Sequence, residues 1–483
     1  MNTPLRRLAT VVLVMFVGLM ASATWVQYVQ ADRLNNDSRN VRTLYREFGN
    51  ARGPIVVAGE AIALSTKVED PYGYQRSYTN GDLYSAVTGF YSVVNGRSQL
   101  ERAANEELTG RGDRLFFSRI RDLITGSQPE GAAVETTINP AAQQAAFDGL
   151  AGQQGAVVAI EPSTGRILAL VSTPGFDPNA LATHDITAAS AAYQALDVAP
   201  GNPLRSNATE ERYPPGSTFK LVTAAAALES GQFTPESTLP APVRLTLPQT
   251  SSTIGNFGGG GCGADPISLA DALRISCNTS FAQLGMDVGS DALLTQAERF
   301  GFNDPDLTIP MLVAESVFPE EMDAPVTAQS AIGQRDVQAT PIQMAMVSAA
   351  IANGGQLMTP YLVQTVRSAD LHRVYETEPE LYSTATSPGT AASLRDMMVG
   401  VVESGSGTSA QIPGVQVAGK TGTAQTADGQ APHAWFTAFA PADAPRVAVA
   451  VIVEHGGNAG NEATGGRIAA PIAKAVIEAV LGS

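Results

Sequence analysis

Ser217 and Lys220 stand three positions apart in Pro214-Pro215-Gly216-Ser217-Thr218-Phe219-Lys220, and the run from Leu221 to Leu228 that follows is rich in alanine and leucine. That composition predicts a helix opening near Ser217. At this spacing the two side chains project from one helical face, so the lysine amine can reach the serine hydroxyl. A serine becomes a competent nucleophile when a neighbour takes its proton, and the unpaired N–H groups of a helix amino terminus favour the negative charge that forms. The neighbour must be able to shed its own proton, which a guanidinium cannot do. The chain holds four lysines, Lys67, Lys220, Lys420 and Lys474, among 30 basic residues; Lys67 and Lys474 read as surface charge, which leaves two for chemistry.

Two further runs carry suitable groups. Ser276-Cys277-Asn278 follows the helical-looking stretch from Leu269 to Ile275 and sets a hydroxyl beside an amide. Such a pair can relay a proton to a departing amine and hold a peptide amide, although by itself it also fits an ordinary polar loop. Ala418-Gly419-Lys420-Thr421-Gly422-Thr423-Ala424 has glycines that let a strand backbone come close to a ligand. Its lysine and hydroxyls suit an anionic group. The competing reading of this run, a phosphate-binding loop, is set aside on the placement of its leading glycine.

Positioning these groups requires a scaffold, and the pattern supplies one. Gly155 to Ile160 and Arg166 to Val171 are short apolar runs separated by Glu161-Pro162-Ser163-Thr164-Gly165, which predicts a strand hairpin. Val447 to Val453 predicts another strand, and Ala469 to Leu481 a closing helix. Leu221 to Leu228 and Ile342 to Ala352 read as buried helices. Strands at both ends with helices between them give a sheet assembled from distant parts of the chain, an α/β or α+β architecture.

Upstream, Arg6 and Arg7 precede an uncharged stretch from Leu8 to Ala31, long enough to cross a bilayer as one helix. Leading positive charge keeps residues 1–7 cytoplasmic, and Trp25 and Tyr28 suit the outer interface, so 8–31 reads as a retained anchor and the rest as extracytoplasmic. Ala21-Ser22-Ala23 also resembles a signal-peptide cleavage site, and export follows on either reading. Residues 32–130 are polar and arginine-rich, with turn signals at Asn80-Gly81 and Asn95-Gly96, and read as a small spacer domain. The segment from Arg111 to Glu130, ending in Gly126-Ser127-Gln128-Pro129, marks its boundary with residues 131–483. A net charge of −16 excludes a nucleic-acid surface, because phosphates would be repelled. The two cysteines, Cys262 and Cys277, lack metal-site spacing; in an exported domain they can form a disulfide, the alternative being two separate buried thiols.

Taken together and in this order, the S-x-x-K, S-x-N and K-T-G elements resemble the transpeptidase domain of class B penicillin-binding proteins, in particular the short actinobacterial A type. Further matches are Pro174 to Asn179, Thr340 to Ala345, Ala352-Asn353-Gly354-Gly355 and His433-Ala434-Trp435-Phe436. The likeness covers about residues 155 to 480, and Arg52-Gly53-Pro54-Ile55 looks like the start of the family's pedestal. The sequence departs from the pattern at Cys277 and at Gly333-Gln334-Arg335-Asp336, which lacks a second glycine. It also shows no counterpart of the carboxylate with which β-lactamases activate water.

The resemblance implies a penicillin-binding transpeptidase fold: a central, mainly antiparallel sheet flanked by helices, an all-helical subdomain, an N-terminal pedestal and one transmembrane helix. It implies a peptidoglycan D,D-transpeptidase, inhibited by β-lactams, that acts on stem peptides ending in D-Ala-D-Ala. Ser217 would be acylated, Lys220 would take its proton, and Ser276 and Lys420 would help protonate the departing D-Ala. The N–H groups of Ser217 and Thr423 would hold the oxyanion, Thr421, Gly422 and Thr423 would line the carboxylate site, and Asn278 would bind the stem amide. No metal or cofactor is required, and His184, His372, His433 and His455 need no catalytic role. A SEDS-family glycosyltransferase is the implied partner. The competitors are a D,D-carboxypeptidase with the same residues, a β-lactamase, and a non-catalytic penicillin sensor or division scaffold.

Overall fold

The apolar run at the amino terminus forms helix α1 (Asn2–Thr24), prolonged by one wider turn over Trp25–Val29. This is the arrangement in the computed structural model, which describes residues 2–30, 48–112, 115, 130–425 and 430–482. Ala31, residues 32–47 and most of the expected boundary segment from Arg111 to Glu130, with its Gly126-Ser127-Gln128-Pro129 turn, lie outside the described residues. The apolar helix spans 27 residues from Thr3 to Val29, about 40 Å at 1.5 Å per residue, against a hydrocarbon core of roughly 30 Å. Its side chains are exposed along its whole length. It is therefore long and apolar enough for a single membrane pass.

Strands β1 (Ile55–Val57), β2 (Glu60–Lys67) and β3 (Tyr74–Tyr78) begin the pedestal, and β4 (Ala133–Thr136) runs parallel to β1. Of the two predicted turns, Asn95-Gly96 does join a short hairpin, Tyr91–Ser92 with Gly96–Arg97. Asn80-Gly81 instead leads from β3 into a helix over Gly81–Thr88, with Asn80 in the left-handed region at φ 51°. Beneath this sheet Glu101 is fully buried between two guanidinium groups, Arg52 at 2.5 Å and Arg76 at 2.7 Å. Burial pushes its carboxyl up, but Arg76 and Arg52 outweigh that and hold it below the usual range. Arg52 thus locks the pedestal core.

The larger, C-terminal part runs through α2 (Pro140–Gly149), β5 (Gly155–Ile160), β6 (Ile167–Thr173), α3 (Lys220–Glu229), α4 (Leu269–Arg274), α5 (Asn278–Val288) and α6 (Pro341–Ala352). It continues through β7 (Val363–Arg367), β8 (Arg373–Glu376), α7 (Pro388–Ser404), β9 (Ala418–Ala424), β10 (His433–Ala440), β11 (Val447–Val453) and α8 (Ala470–Gly482). Strands β7 and β8 return to the pedestal, whose sheet has the order β8-β7-β4-β1-β2-β3. The expected division at residue 130 is crossed by one hydrogen-bonded sheet.

The main sheet is five-stranded, in the order β9-β10-β11-β5-β6, with every neighbouring pair antiparallel. As predicted, it joins a hairpin from early in the chain to strands from its end. Its inner strands are buried on both faces, which is why β11 reads as a continuous apolar run. Ala448, Ala450 and Ile452 point into one core, shared with α3, α6 and α7, while Val447, Val449, Val451 and Val453 point into the other, shared with α2 and α8. Helix α6 is buried almost all round, as its uniform apolarity requires. At one margin of this sheet no strand among the described residues pairs with the outer edge of β9.

Candidate active site

Ser217 lies in a single 3₁₀ turn, Gly216–Phe219, that feeds directly into α3. The alanine-rich helix is buried from Lys220 to Ala227 and so holds its first turn rigidly against the core. Ser217 itself is half-buried while Thr218, Phe219 and Lys220 are buried. The turn rests on the backbone of β9. A Cβ on Gly422 would lie 3.0 Å from Thr218 Cγ2 and 3.1 Å from Pro215 O, and one on Gly216, at φ 53°, would lie 3.0 Å from Thr423 O. On its other side the N–H of Gly216 donates to Gly333 O at 2.8 Å, and Gly333 at φ 70° has no room for a side chain, since a Cβ would come within 2.2 Å of Gly216 O. Two residues on, Arg335 takes the left-handed φ of 63° in the stretch where the sequence lacks its second glycine.

The two scarce lysines converge on one hydroxyl. Lys220 Nζ donates to Asn278 Oδ1 at 2.7 Å and Ser276 O at 2.8 Å, and lies 3.3 Å from Ser276 Oγ. Lys420 Nζ donates to Ser276 Oγ at 2.8 Å and to Thr421 O at 2.8 Å. Both lysines are fully buried, with no carboxylate among these partners. Burial, and then the charge of Lys420, pushes the Lys220 ammonium well below the usual lysine range. Burial brings Lys420 to about 7. An amine that is neutral near physiological pH beside a hydroxyl is what proton abstraction needs.

Ser276 is placed by the end of α4. The N–H of Cys277 returns to Ala272 O at 2.8 Å and that of Ser276 to Leu273 O at 3.1 Å, so Ser276 occupies the left-handed position, φ 63°, where helix ends favour glycine. A non-glycine residue held there is strained, and such strain gathers at functional sites. Cys277, the unexpected middle residue of the triplet, is bonded to Cys262 as a disulfide that fastens the glycine-rich stretch before Cys262 beside the site. Asn278 starts α5. Its Nδ2 donates to Gly255 O at 3.1 Å while Asn256 Oδ1 accepts the N–H groups of Asn278 and Thr279.

On β9, Thr421 Oγ1 lies 2.6 Å from Ser406 Oγ, and Thr423 is half-buried. The leading glycine does not in fact exclude a phosphate loop, because Gly414 stands where such a loop needs one. What excludes it is the fold: Lys420 sits inside a strand laddered to β10 from Ala418 to Ala424, not in a loop before a helix. Sequence reasoning passed over Ser406, Asn256, Tyr213 and Glu454. The Ser404-Gly405-Ser406-Gly407 turn was a signal for the first, whereas nothing local marks the others.

His433, Glu454 and His455 bring ligand-type atoms within 4.8 Å of one another. Protein donors already occupy the cluster. Tyr213 and Gln154 donate to the two carboxylate oxygens, and the N–H of His455 donates to His433 Nδ1. Burial, then His455, brings the His433 imidazole to about 4. The group is a hydrogen-bond junction tied through Tyr213 to the segment that leads into the Gly216–Phe219 turn.

Residues 155–478 match the penicillin-binding protein transpeptidase domain, and residues 52–134 match the penicillin-binding protein A dimerisation domain. The chain is 46% identical to the peptidoglycan D,D-transpeptidase PbpA of Mycolicibacterium smegmatis, over all of this chain and 99% of that protein. It is 45% identical to PbpA of Mycobacterium tuberculosis with the same coverage. Its fold superposes on penicillin-binding protein A of M. tuberculosis, solved as a ceftriaxone acyl-enzyme complex, with TM-score 0.87 and 44% identity over 90% of this chain and all of that one. A penicillin G acyl-enzyme of the same protein gives TM-score 0.85 at 45% identity, over 89% of this chain.

Proposed function

Because the chain belongs to the penicillin-binding protein transpeptidase family, we propose that it cross-links peptidoglycan: it is a serine D,D-transpeptidase that β-lactams acylate. The observation that carries the assignment of roles is the meeting of two buried, hydrogen-bonded lysines at the Ser276 hydroxyl, one of which, Lys220, follows Ser217 by one helical turn. Ser217 Oγ attacks the carbonyl of the penultimate D-Ala and passes its proton to neutral Lys220. The C–N bond to the terminal D-Ala breaks, and Ser276, backed by Lys420, delivers a proton to the departing amine. The N–H groups of Ser217 and Thr423 stabilise the oxyanion, Thr421 and Thr423 with Gly422 hold the terminal carboxylate, and Asn278 binds the stem amide. The outer edge of β9 lets an extended stem peptide add as a further strand. An amine of a second stem then displaces Ser217 and forms the cross-link.

The apolar helix holds the enzyme at the membrane with residues 32–483 on the extracytoplasmic side, where the substrate lies. A SEDS-family glycosyltransferase would supply the glycan strands. The test is labelling with a fluorescent penicillin, followed by incubation with a stem peptide and an acceptor amine. Wild type should label and form the cross-linked product, Ser217→Ala should do neither, and Lys220→Ala should label on the order of 100-fold or more slowly. Labelling that persists in Ser217→Ala excludes the nucleophile, and free acid as sole product makes the enzyme a carboxypeptidase.

A further inference from the structure

Four residues before the nucleophile, Tyr213 is buried and its hydroxyl donates to Glu454 Oε1 at 2.8 Å, across 241 positions of sequence. Glu454 stands directly after β11 and is itself buried. Its other oxygen accepts from Gln154 Nε2 at 3.0 Å, and its N–H donates to Gln154 O at 2.8 Å, so the carboxylate is fixed to the start of β5 by side chain and backbone together. Nothing in packing requires a carboxylate here. Burial raises its pKa, against which the bonds from Tyr213 and Gln154 work, and a neutral or apolar side chain would avoid that penalty.

What the carboxylate gains is a charge-assisted bond to the tyrosine, stronger and shorter than a neutral one. The segment it holds is also tethered elsewhere. Tyr213 pairs through its backbone with Ala339, the N–H of Trp435 reaches Pro214 O at 3.1 Å, and Gly216 binds Gly333. The Tyr213 ring meets the rings of His433 and Trp435 edge-on, and its hydroxyl anchors the far end of the side chain to Glu454.

We propose that Glu454 is a positioning residue: through Tyr213 it sets the height of the Gly216–Phe219 turn over β9 and so aims Ser217 at the carbonyl held on that strand. The inference rests on the transpeptidase reading above. It adds a residue pair outside the three motifs, one that touches neither substrate nor the reacting atoms. Misplacement of a reacting group by about 1 Å slows a reaction on the order of 100-fold, so a small release of the turn should register in the chemical step.

The test uses the full chain in detergent and single-turnover acylation by a fluorescent penicillin, resolved into the affinity of the initial complex and the rate of acylation. Tyr213→Phe and Glu454→Gln remove one oxygen or one charge at nearly constant shape. Each should slow acylation on the order of 10- to 100-fold with initial affinity within about threefold, and the double variant should be no slower than the slower single one. The inference is overturned if the thermal midpoint falls while the acylation rate stays within about twofold of wild type, or if the two effects multiply. Ser217→Ala run alongside separates the failures: surviving label there defeats the transpeptidase reading itself, and loss of label with unaffected Tyr213→Phe defeats only the positioning role.

Discussion

At Ser276 the demands of folding and of chemistry oppose one another. The end of α4 needs a left-handed residue, which glycine supplies with least strain, yet the chain keeps a serine whose hydroxyl lies between two lysine amines. Ser276→Gly should therefore leave the protein as stable as wild type or more stable by up to about 1 kcal/mol, while acylation falls on the order of 100-fold or more. Thermal unfolding beside penicillin acylation checks both halves, and a clear loss of stability would contradict the account of the strain. The side chains that meet at Ser276 were legible in the sequence because each is a scarce or distinctive type at a fixed local spacing. Glu454 and Tyr213 were not, because their relation exists only across 241 positions and a tyrosine or glutamate alone signals nothing.

Secondary elements were read best where a buried face imposes a period. The hairpin of β5 and β6, the strand β11 and the buried helices α3 and α6 lie where apolar runs predicted them. At Asn80-Gly81 the turn signal falls on a turn, but the buried helix that this turn opens, Gly81–Thr88, was not read from the sequence. The phosphate-loop question shows the same limit from the other side, since spacing alone permits that reading and only the β9–β10 ladder removes it. The disulfide closes a loop spanning 15 residues between the glycine-rich stretch and α5. Cys262→Ser should lower stability by about 3 kcal/mol, measured by denaturant unfolding under non-reducing conditions. An unchanged unfolding midpoint would show that the bridge does not hold this loop.

For the molecule as a whole, the pedestal and the catalytic part share backbone hydrogen bonds. Strands β7 and β8 leave the catalytic region to sit beside β4, and side chains add to the join: Asn179 Nδ2 donates to Tyr78 O at 2.9 Å and Gln75 Nε2 to Ala182 O at 2.6 Å. This arrangement could not be read from the sequence, because the returning strands are short, polar and far from their partners. Residues 131–483 expressed alone would expose the edge of β4 that β1 covers, and exposed edges promote association. That fragment should aggregate or unfold at lower temperature than residues 32–483, as size-exclusion chromatography and thermal scanning would show. A monodisperse fragment of equal stability would mean that the shared sheet contributes nothing to the fold.

The proposed mechanism requires that burial keep the Lys220 amine uncharged one turn after Ser217. The chain has only four lysines, so selective ¹³C labelling at lysine Cε gives four resonances, and Lys220→Ala identifies the one that matters. Followed by NMR against pH, the Lys220 signal should titrate well below the value of about 10.4 found for lysine in peptides. A Lys220 signal still that of an ammonium at pH values near 10 would contradict the mechanism.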